Sequence, residues 1–367
     1  MTALDQVEIG GAPDIPPEDD PTLDRPRRPP RFDRVMVRDG LVSLLAAAAT
    51  VGMLRAVLDW HGVLSSLAWG YVVFALAFYL LGRDGESAER SVDRIMTLLI
   101  WTGTALVVAV LSWMLIYLVA RGLPTMGLNF FTQDLSKVGP LDKGGGAKNA
   151  IIGTAEQVGA ATLIVVPLAI LTAVYLNEIR GRLAGVIRFI VDALSGLPSI
   201  VAGLLIFTIW VVNRGFSGAA GSAALVVLMI PTVTRTSEEI LRTIPDSLRE
   251  ASMALGAPQW RVVLRVVLPT AISGLLTGVI LGVARAVGET APMLLTASGS
   301  NFTNYNLFSG PQADLPTFIF GLYKQPNKVQ IDRAWTAALI LVILVLILFL
   351  TARLTLARAQ RKLRRSR

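Results

Sequence analysis

Two ionisable residues, Arg285 and Glu289, stand inside the apolar run LTGVILGVARAVGETAPMLLTA, Leu276–Ala297. Charged groups within a run of membrane-spanning length are rare, face a bundle interior or water, and mark function by default. Four residues apart on a helix, the two side chains share a face and can pair. A guanidinium stays charged and presents planar, bidentate donors, so it can replace the hydration water of an oxyanion crossing a low-dielectric barrier. One Arg partly neutralised by one Glu would attract an anion without trapping it, the balance that conduction needs. A structural salt bridge tying helices together is the competing reading, and both can hold in different conformations. At about 1.5 Å per residue, Arg285 lies roughly 22 Å beyond Thr270, well inside a bilayer. A third charge, Arg235, ends the sixth apolar run within MIPTVTRTSEEILRTIP, Met229–Pro245. It reads equally as an inner station for the anion or as a snorkelling, positive-inside anchor.

A second constellation lies between two apolar runs, in LREASMALGAPQWRVVLRVVLP, Leu248–Pro269. Glu250, Ala251 and Ser252 precede Gly256, and the amphipathic series Trp260, Val263, Leu264, Val267, Leu268 then leads to Pro269. Small residues allow close helix contact, Gly256 permits a tight helix–turn–helix, and the apolar face gives a partner's groove something to grip. The pattern predicts a short docking helix; an ordinary amphipathic helix lying on the membrane is the alternative. Other chemistry is poorly equipped. There is no cysteine and one histidine, His61, which excludes thiolate chemistry, disulfides and multi-His or Cys metal sites. No Walker A spacing, GxSxG elbow or dinucleotide fingerprint occurs, so no metal, catalytic residue or cofactor is expected in this chain, and any ATP is hydrolysed by a partner.

These residues must be positioned by membrane helices. The composition is 53% hydrophobic and 16% charged, with a mean hydropathy of +0.59, and in lipid every backbone polar group needs an internal partner. Apolar runs predict eight spans, at about 40–58, 64–81, 95–119, 152–176, 186–212, 219–234, 270–295 and 335–356. Residues 1–35 are acidic, then Pro- and Arg-rich, and read as a disordered cytoplasmic tail. Residues 36–94 form a transmembrane hairpin with its linker, 95–357 a larger core holding the docking loop at 235–269, and 358–367 a basic tail. With both termini cytoplasmic, 24 of the 34 basic residues face the cytoplasm and nine lie outside, with Arg285 within a span, as the positive-inside rule requires. The net charge of +8 is therefore a topology signal and not a nucleic-acid footprint. Two outside connections, 120–151 and 297–333, are long enough to hold short structure and to meet a soluble partner; a flexible connector is the other reading, evenly weighted at Gly144–Gly146. The triplet Asn301, Phe302, Thr303 carries little weight as a glycosylation site. The glycines Gly196, Gly203, Gly274, Gly278 and Gly282 would let helices approach and slide, and plain packing accounts for each.

The segment around Glu250 resembles the EAA loop of ABC-importer permeases, with Ser252 at the position of the second Ala. Together with PLAILTAVYLNEI (Pro167–Ile179), GLPSIVAGL (Gly196–Leu204) and ARAVGETAPMLLTA (Ala284–Ala297), it is similar to the PstA family of phosphate permeases over about residues 95–350. The resemblance implies an all-α polytopic membrane protein, with a type I ABC-importer core of six transmembrane helices plus an extra N-terminal hairpin. It implies a permease for inorganic phosphate in the inner membrane, paired with a PstC-type permease, a PstB-type ATPase dimer that binds ATP and Mg, and an extracytoplasmic phosphate-binding protein. It places Arg285, Glu289 and Arg235 on the substrate pathway, and Glu250, Ala251, Ser252 and Gly256 in ATPase coupling. A C-type paralogue, a sulfate or molybdate permease, and an ATP-independent secondary transporter are the rival expectations.

Overall fold

The computed structural model describes residues 34–58, 62–85 and 88–365; the expected tail lies almost wholly outside them. The fold is all-α. Helices α1 (Arg34–Leu58) and α2 (Val63–Gly85) precede the long α3 (Ala88–Gly122). After the short α4 (Leu128–Thr132) come α5 (Lys148–Ile179), α6 (Ala184–Ser195), α7 (Ser199–Arg214) and α8 (Gly218–Arg242). The remainder comprises α9 (Asp246–Ala254), α10 (Gln259–Val287), α11 (Ala291–Thr296), α12 (Leu315–Tyr323) and α13 (Lys328–Arg365). The described residues divide into two compact units, one up to Ser112 and one from Trp113 onward.

Within the first unit, the buried carboxylate of Asp39 on α1 accepts hydrogen bonds from Arg38 (3.1 Å) and from Arg94 of α3 (3.3 Å). Tyr71 of α2 meets Thr102 of α3 at 3.1 Å.

Of the eight expected spans, six match helices long and apolar enough to cross alone: those at α1, α3, α5, α8, α10 and α13. The apolar part of α2, Ser65–Leu81, is shorter. The expected span 186–212 is not a continuous helix, because Gly196–Leu197–Pro198 breaks it into α6 and α7, bent by 106°. Proline removes an amide donor and steers its predecessor out of the helical region. The expected span 270–295 begins earlier and stops earlier: α10 starts at Gln259, passes through Pro269, and ends at Val287.

Hydrogen bonds at both ends of the second unit fix where the bent pair begins and where it ends. At one end, Ser217 and Ala219 donate amides to Thr296 and Leu307 (3.2 and 2.6 Å), and Leu135 donates to Asn301 (3.0 Å). At the other, Gln259 and Arg249 hold Glu178 (2.7 Å each). Helix α5 ends at the second site and α8 starts at the first, so α6 and α7 must together carry the chain across.

The core lies among α5, α8 and α10. Val158, Ala161, Val165 and Ala169 of α5 pack with Leu225, Met229 and Val233 of α8 and with Val279, Ala286 and Val287 around the end of α10. Since lipid is as apolar as leucine, helix association here relies on close packing. The glycines supply it: added Cβ atoms at Gly274, Gly278 and Gly282 of α10 would come within 2.6–2.7 Å of Ile240, Thr236 and Val233 of α8. At Gly203 of α7 a Cβ would meet Pro292 at 2.7 Å.

The two long connections fold against each other. The Asp134 carboxylate accepts from the Thr303 amide and hydroxyl (2.9 Å each), Asn327 donates to the Pro140 carbonyl (2.9 Å), and Arg333 donates to the Asp142 and Gly144 carbonyls (2.5 and 2.7 Å). The Gly144–Gly146 run belongs to this cap and is not a slack connector. Gly144 and Gly145 take positive φ of 130° and 70°, and Gly146 lies against the Phe130 backbone where a Cβ would overlap.

Candidate functional site

Arg285 occupies the last turn of α10, and Glu289 follows in the break at Gly288–Thr290. The helix stops here because Gly288 disfavours its continuation and Pro292 opens the next helix. The predicted pair forms: Arg285 Nε lies 3.6 Å from Glu289 Oε1. Its setting differs from that of a buried tie, since 60% of the Arg285 side-chain surface is exposed, against 17% for Glu289. The two residues line a crevice with Leu228, Met229, Thr232, Gly282 and Ala286. A cation thus stands open on the flank of the packed core, with one partly shielded carboxylate beside it.

Arg235 lies inside α8 and not at its end, because that helix continues to Arg242. Its guanidinium pairs with Asp192 of α6. A second tie joins the same two helices, Arg188 to the buried Glu238 (2.7 Å), which also accepts from Arg242 (2.6 Å). The α8–α10 register, with Val233 opposite Gly282 and Ile240 opposite Gly274, puts Arg235 about six residues, or roughly 9 Å, from the level of Arg285. The structure therefore brings Arg285 and Glu289 together and gives Arg235 a different partner. Asp192, like Arg285, is ionisable within an apolar run, and what its spacing conceals is its partner 43 residues away.

The segment carrying Glu250, Ala251, Ser252 and Gly256 is a helix–turn–helix. Helix α9 holds the first three residues, and Gly256, at φ +81°, makes the turn. Glu250, Ala251 and Gly256 are exposed and Ser252 is half-buried, donating to the Leu248 carbonyl at 2.8 Å. The apolar series from Trp260 to Leu268 is not the short helix that the pattern predicts. It is the first stretch of α10, with Val263 and Val267 buried against Ala173, Val174 and Leu241, while Trp260 and Leu264 stay exposed. The projecting helix is α9, which presents Leu248 and Met253, with the 90%-exposed Leu255 just past its end.

What holds α9 was not legible in the sequence. Arg249 grips Glu178 at the end of α5 through Nε–Oε2 (3.0 Å) and Nη2–Oε1 (2.7 Å). These hydrogen bonds hold the guanidinium pKa above its ordinary value against the opposing effect of burial. Beyond the membrane helices, two further carboxylates are tuned. Burial pushes Asp314, the N-cap of α12, up to about 6 although the Thr317 hydroxyl and amide act against it. At Asp134 burial acts upward, but hydrogen bonds from Ser136 and Thr303 together bring it down to about 2. Among the described residues no group of three or more His, Asp or Glu side chains is placed to hold a metal.

Comparison with known proteins gives this geometry its setting. The chain is 40% identical over 268 residues to the phosphate transport system permease protein PstA 1 of Mycobacterium tuberculosis (strain CDC 1551 / Oshkosh), covering 72% of this chain and 88% of that one. It is 42% identical over 261 residues to the phosphate transport system permease protein PstA of Mycobacterium leprae (strain TN), covering 70% and 86%. A solved structure of the inward facing MetNI methionine ABC transporter aligns over 58% of this chain and 94% of that chain, at 21% identity and a TM-score of 0.47. The profile of the binding-protein-dependent transport system inner membrane component family matches residues 165–365, and with relatives at this identity over most of their length, the chain belongs to that family.

Proposed function

We propose that this protein is a channel-forming permease subunit of an ATP-driven inorganic phosphate importer, coupling a partner's ATP hydrolysis to phosphate translocation. The observation that carries the reading is the open guanidinium of Arg285, beside Glu289 at the break after α10. The relatives supply the cargo and the class of machine. In this reading Arg285 and Glu289 lie on the substrate path, with Arg235 nearer the coupling segment and released for the anion when Asp192 moves. The exposed face of α9, with Glu250, Ala251, Ser252 and Gly256, seats in a groove of a PstB-type ATPase dimer. A PstC-type permease covers the Arg285 flank, and a phosphate-binding protein docks on the cap built from the two long connections. ATP and Mg belong to the ATPase subunit, and both termini lie in the cytoplasm.

The mechanism follows from charge and geometry. Phosphate arriving from the binding protein exchanges water for guanidinium N–H donors, and Glu289 limits how tightly it is held. Closure of the ATPase dimer moves α9, and α8 and α10, continuous with its two ends, shift around Arg285. The test is uptake of labelled phosphate by vesicles holding the reconstituted complex, with sulfate and molybdate as competitors. Uptake that depends on ATP and resists both competitors is expected; uptake without ATP, or equal competition by sulfate, sinks the assignment. Loss of the co-purifying ATPase in Glu250→Lys or Gly256→Asp locates the coupling face, and its full retention in both would remove α9 from that role.

A further inference from the structure

The Arg249 side chain is only 13% exposed and that of Glu178 only 6%, yet Arg249 belongs to a helix that otherwise projects outward. Its guanidinium satisfies five acceptors: both Glu178 oxygens, the Asp246 carboxylate (3.0 Å), and the main-chain carbonyls of Leu241 (3.0 Å) and Ile244 (2.7 Å). That is the full donor capacity of an arginine. Gln259, at the start of α10, adds a bond to the Glu178 carbonyl (2.7 Å). Glu178 lies where α5 loosens into the π-helical turn Tyr175–Ile179 and ends in Arg180 at φ +50°. Such turns often mark functional places in a helix.

Helix α9 is joined covalently to α8 through residues 243–245 and to α10 through 255–258. It has no covalent connection to α5, the third helix of the core around Val165, Met229 and Val279. We infer that the Arg249–Glu178 clasp is a positioning device that makes α5 move with the coupling segment, so that a displacement of α9 is delivered to all three core helices. Without it, a push on α9 would shift α8 and α10 against a stationary α5 and would be absorbed as sliding along the apolar contacts of Val158, Ala161, Val165 and Ala169. The clasp suits this task because a bidentate Arg–carboxylate pair fixes orientation as well as distance. Its burial makes a single neutralisation costly, because the other charge is left unpaired.

This inference rests on the importer reading, and the experiment separates the two. The full complex, with its ATPase and binding protein, is reconstituted in vesicles, and the phosphate moved per ATP hydrolysed is measured. In the doubly neutral variant Glu178→Gln with Arg249→Gln, the ATPase subunit should still co-purify and hydrolyse ATP, while phosphate per ATP falls at least tenfold. A merely structural role would lower uptake and hydrolysis together, leaving the ratio unchanged, and that result overturns the inference. If the doubly neutral variant does not assemble, Arg249→Lys decides, since it keeps the charge and loses the fork: a lowered ratio supports the clasp and an unchanged one overturns it. A wild-type complex that moves no phosphate at the expense of ATP would instead sink the importer reading.

Discussion

Arg285 and Asp314 are both charged groups in a mostly apolar protein, and their surroundings make opposite demands. Arg285 is open, and its 3.6 Å approach to Glu289 is longer than a strong charge-assisted hydrogen bond, so little folding free energy rests on it. Arg285→Gln should therefore leave complex assembly and melting temperature nearly unchanged while labelled-phosphate uptake falls by two orders of magnitude or more; Arg285→Lys, with charge but no fork, should keep a few per cent. Wild-type uptake by Arg285→Gln would remove it from the pathway. Asp314 is buried, and its pKa is raised to about 6 from 3.8. A raised acid favours the folded state when protonated, so its contribution is fully present below about pH 4 and is lost as pH rises through about 6, on the order of 3 kcal/mol in all. Asp314→Asn keeps a side chain able to cap α12 and removes the titration. The difference in thermal stability between wild type and Asp314→Asn should therefore shift in the mutant's favour as pH rises from 4 to 7, and a difference flat across that range would contradict the assignment. At this scale the sequence was half legible. Arg285 and Glu289 announce themselves as charges four apart in an apolar run, whereas Arg249 and Glu178 lie 71 residues apart, and no local pattern joins them.

Among the elements, α8 against α10 shows most directly how composition becomes geometry. The spacing Gly274, Gly278, Gly282 is readable as a small-residue stripe, and the structure turns it into a register with Ile240, Thr236 and Val233. A methyl at Gly282 would meet Val233 Cγ2 at 2.6 Å, and Val233 is fully buried with no room to turn aside. Gly282→Ala is thus expected to lower the melting temperature of the detergent-solubilised complex by several degrees, through an overpacking cost of about 1–3 kcal/mol. Removing the opposed methyls in Gly282→Ala with Val233→Ala should restore most of it, and a double-mutant cycle measures the coupling. Additive losses would mean that these helices do not touch as described. The same scale exposes what periodicity missed. The break at Gly196–Pro198 and the early stop of α10 at Val287 interrupt runs that stay apolar when averaged over the length of a span. A hydropathy window averages over a kink, whereas Pro198 and Gly288 act on single backbone angles. The amphipathic stretch from Trp260 to Leu268 misled for the converse reason, since its buried face packs on this chain's own α5 and α8 ends and not on a partner.

Across the whole molecule, the second unit is ordered by its two ends. One gathers the cap, where residues 123–147 bond to residues 301–303 and 327–333; the other gathers α9 with the ends of α5 and α8. The distribution of basic residues supports the proposal that these ends face opposite sides of the membrane, with α9 in the cytoplasm. The chain has no cysteine, so single introduced thiols can test the assignment without background. Leu255, beside Gly256, is 90% exposed, and Leu141, in the cap, is 76% exposed. Leu255→Cys should react with a membrane-impermeant maleimide only in inside-out vesicles, and Leu141→Cys only in right-side-out ones. Three traverses separate the two positions: α5, the bent α6–α7 pair and α8. Labelling of both thiols from one face would mean that the pair dips into the bilayer and returns, leaving two traverses. That result would also set α10 at odds with its own ends, since α10 alone leads from α9 to the cap through Gly288. A helix of 29 residues, about 43 Å long, is ample to cross, and the exposed Arg285 lies in its last turn, at the end away from α9.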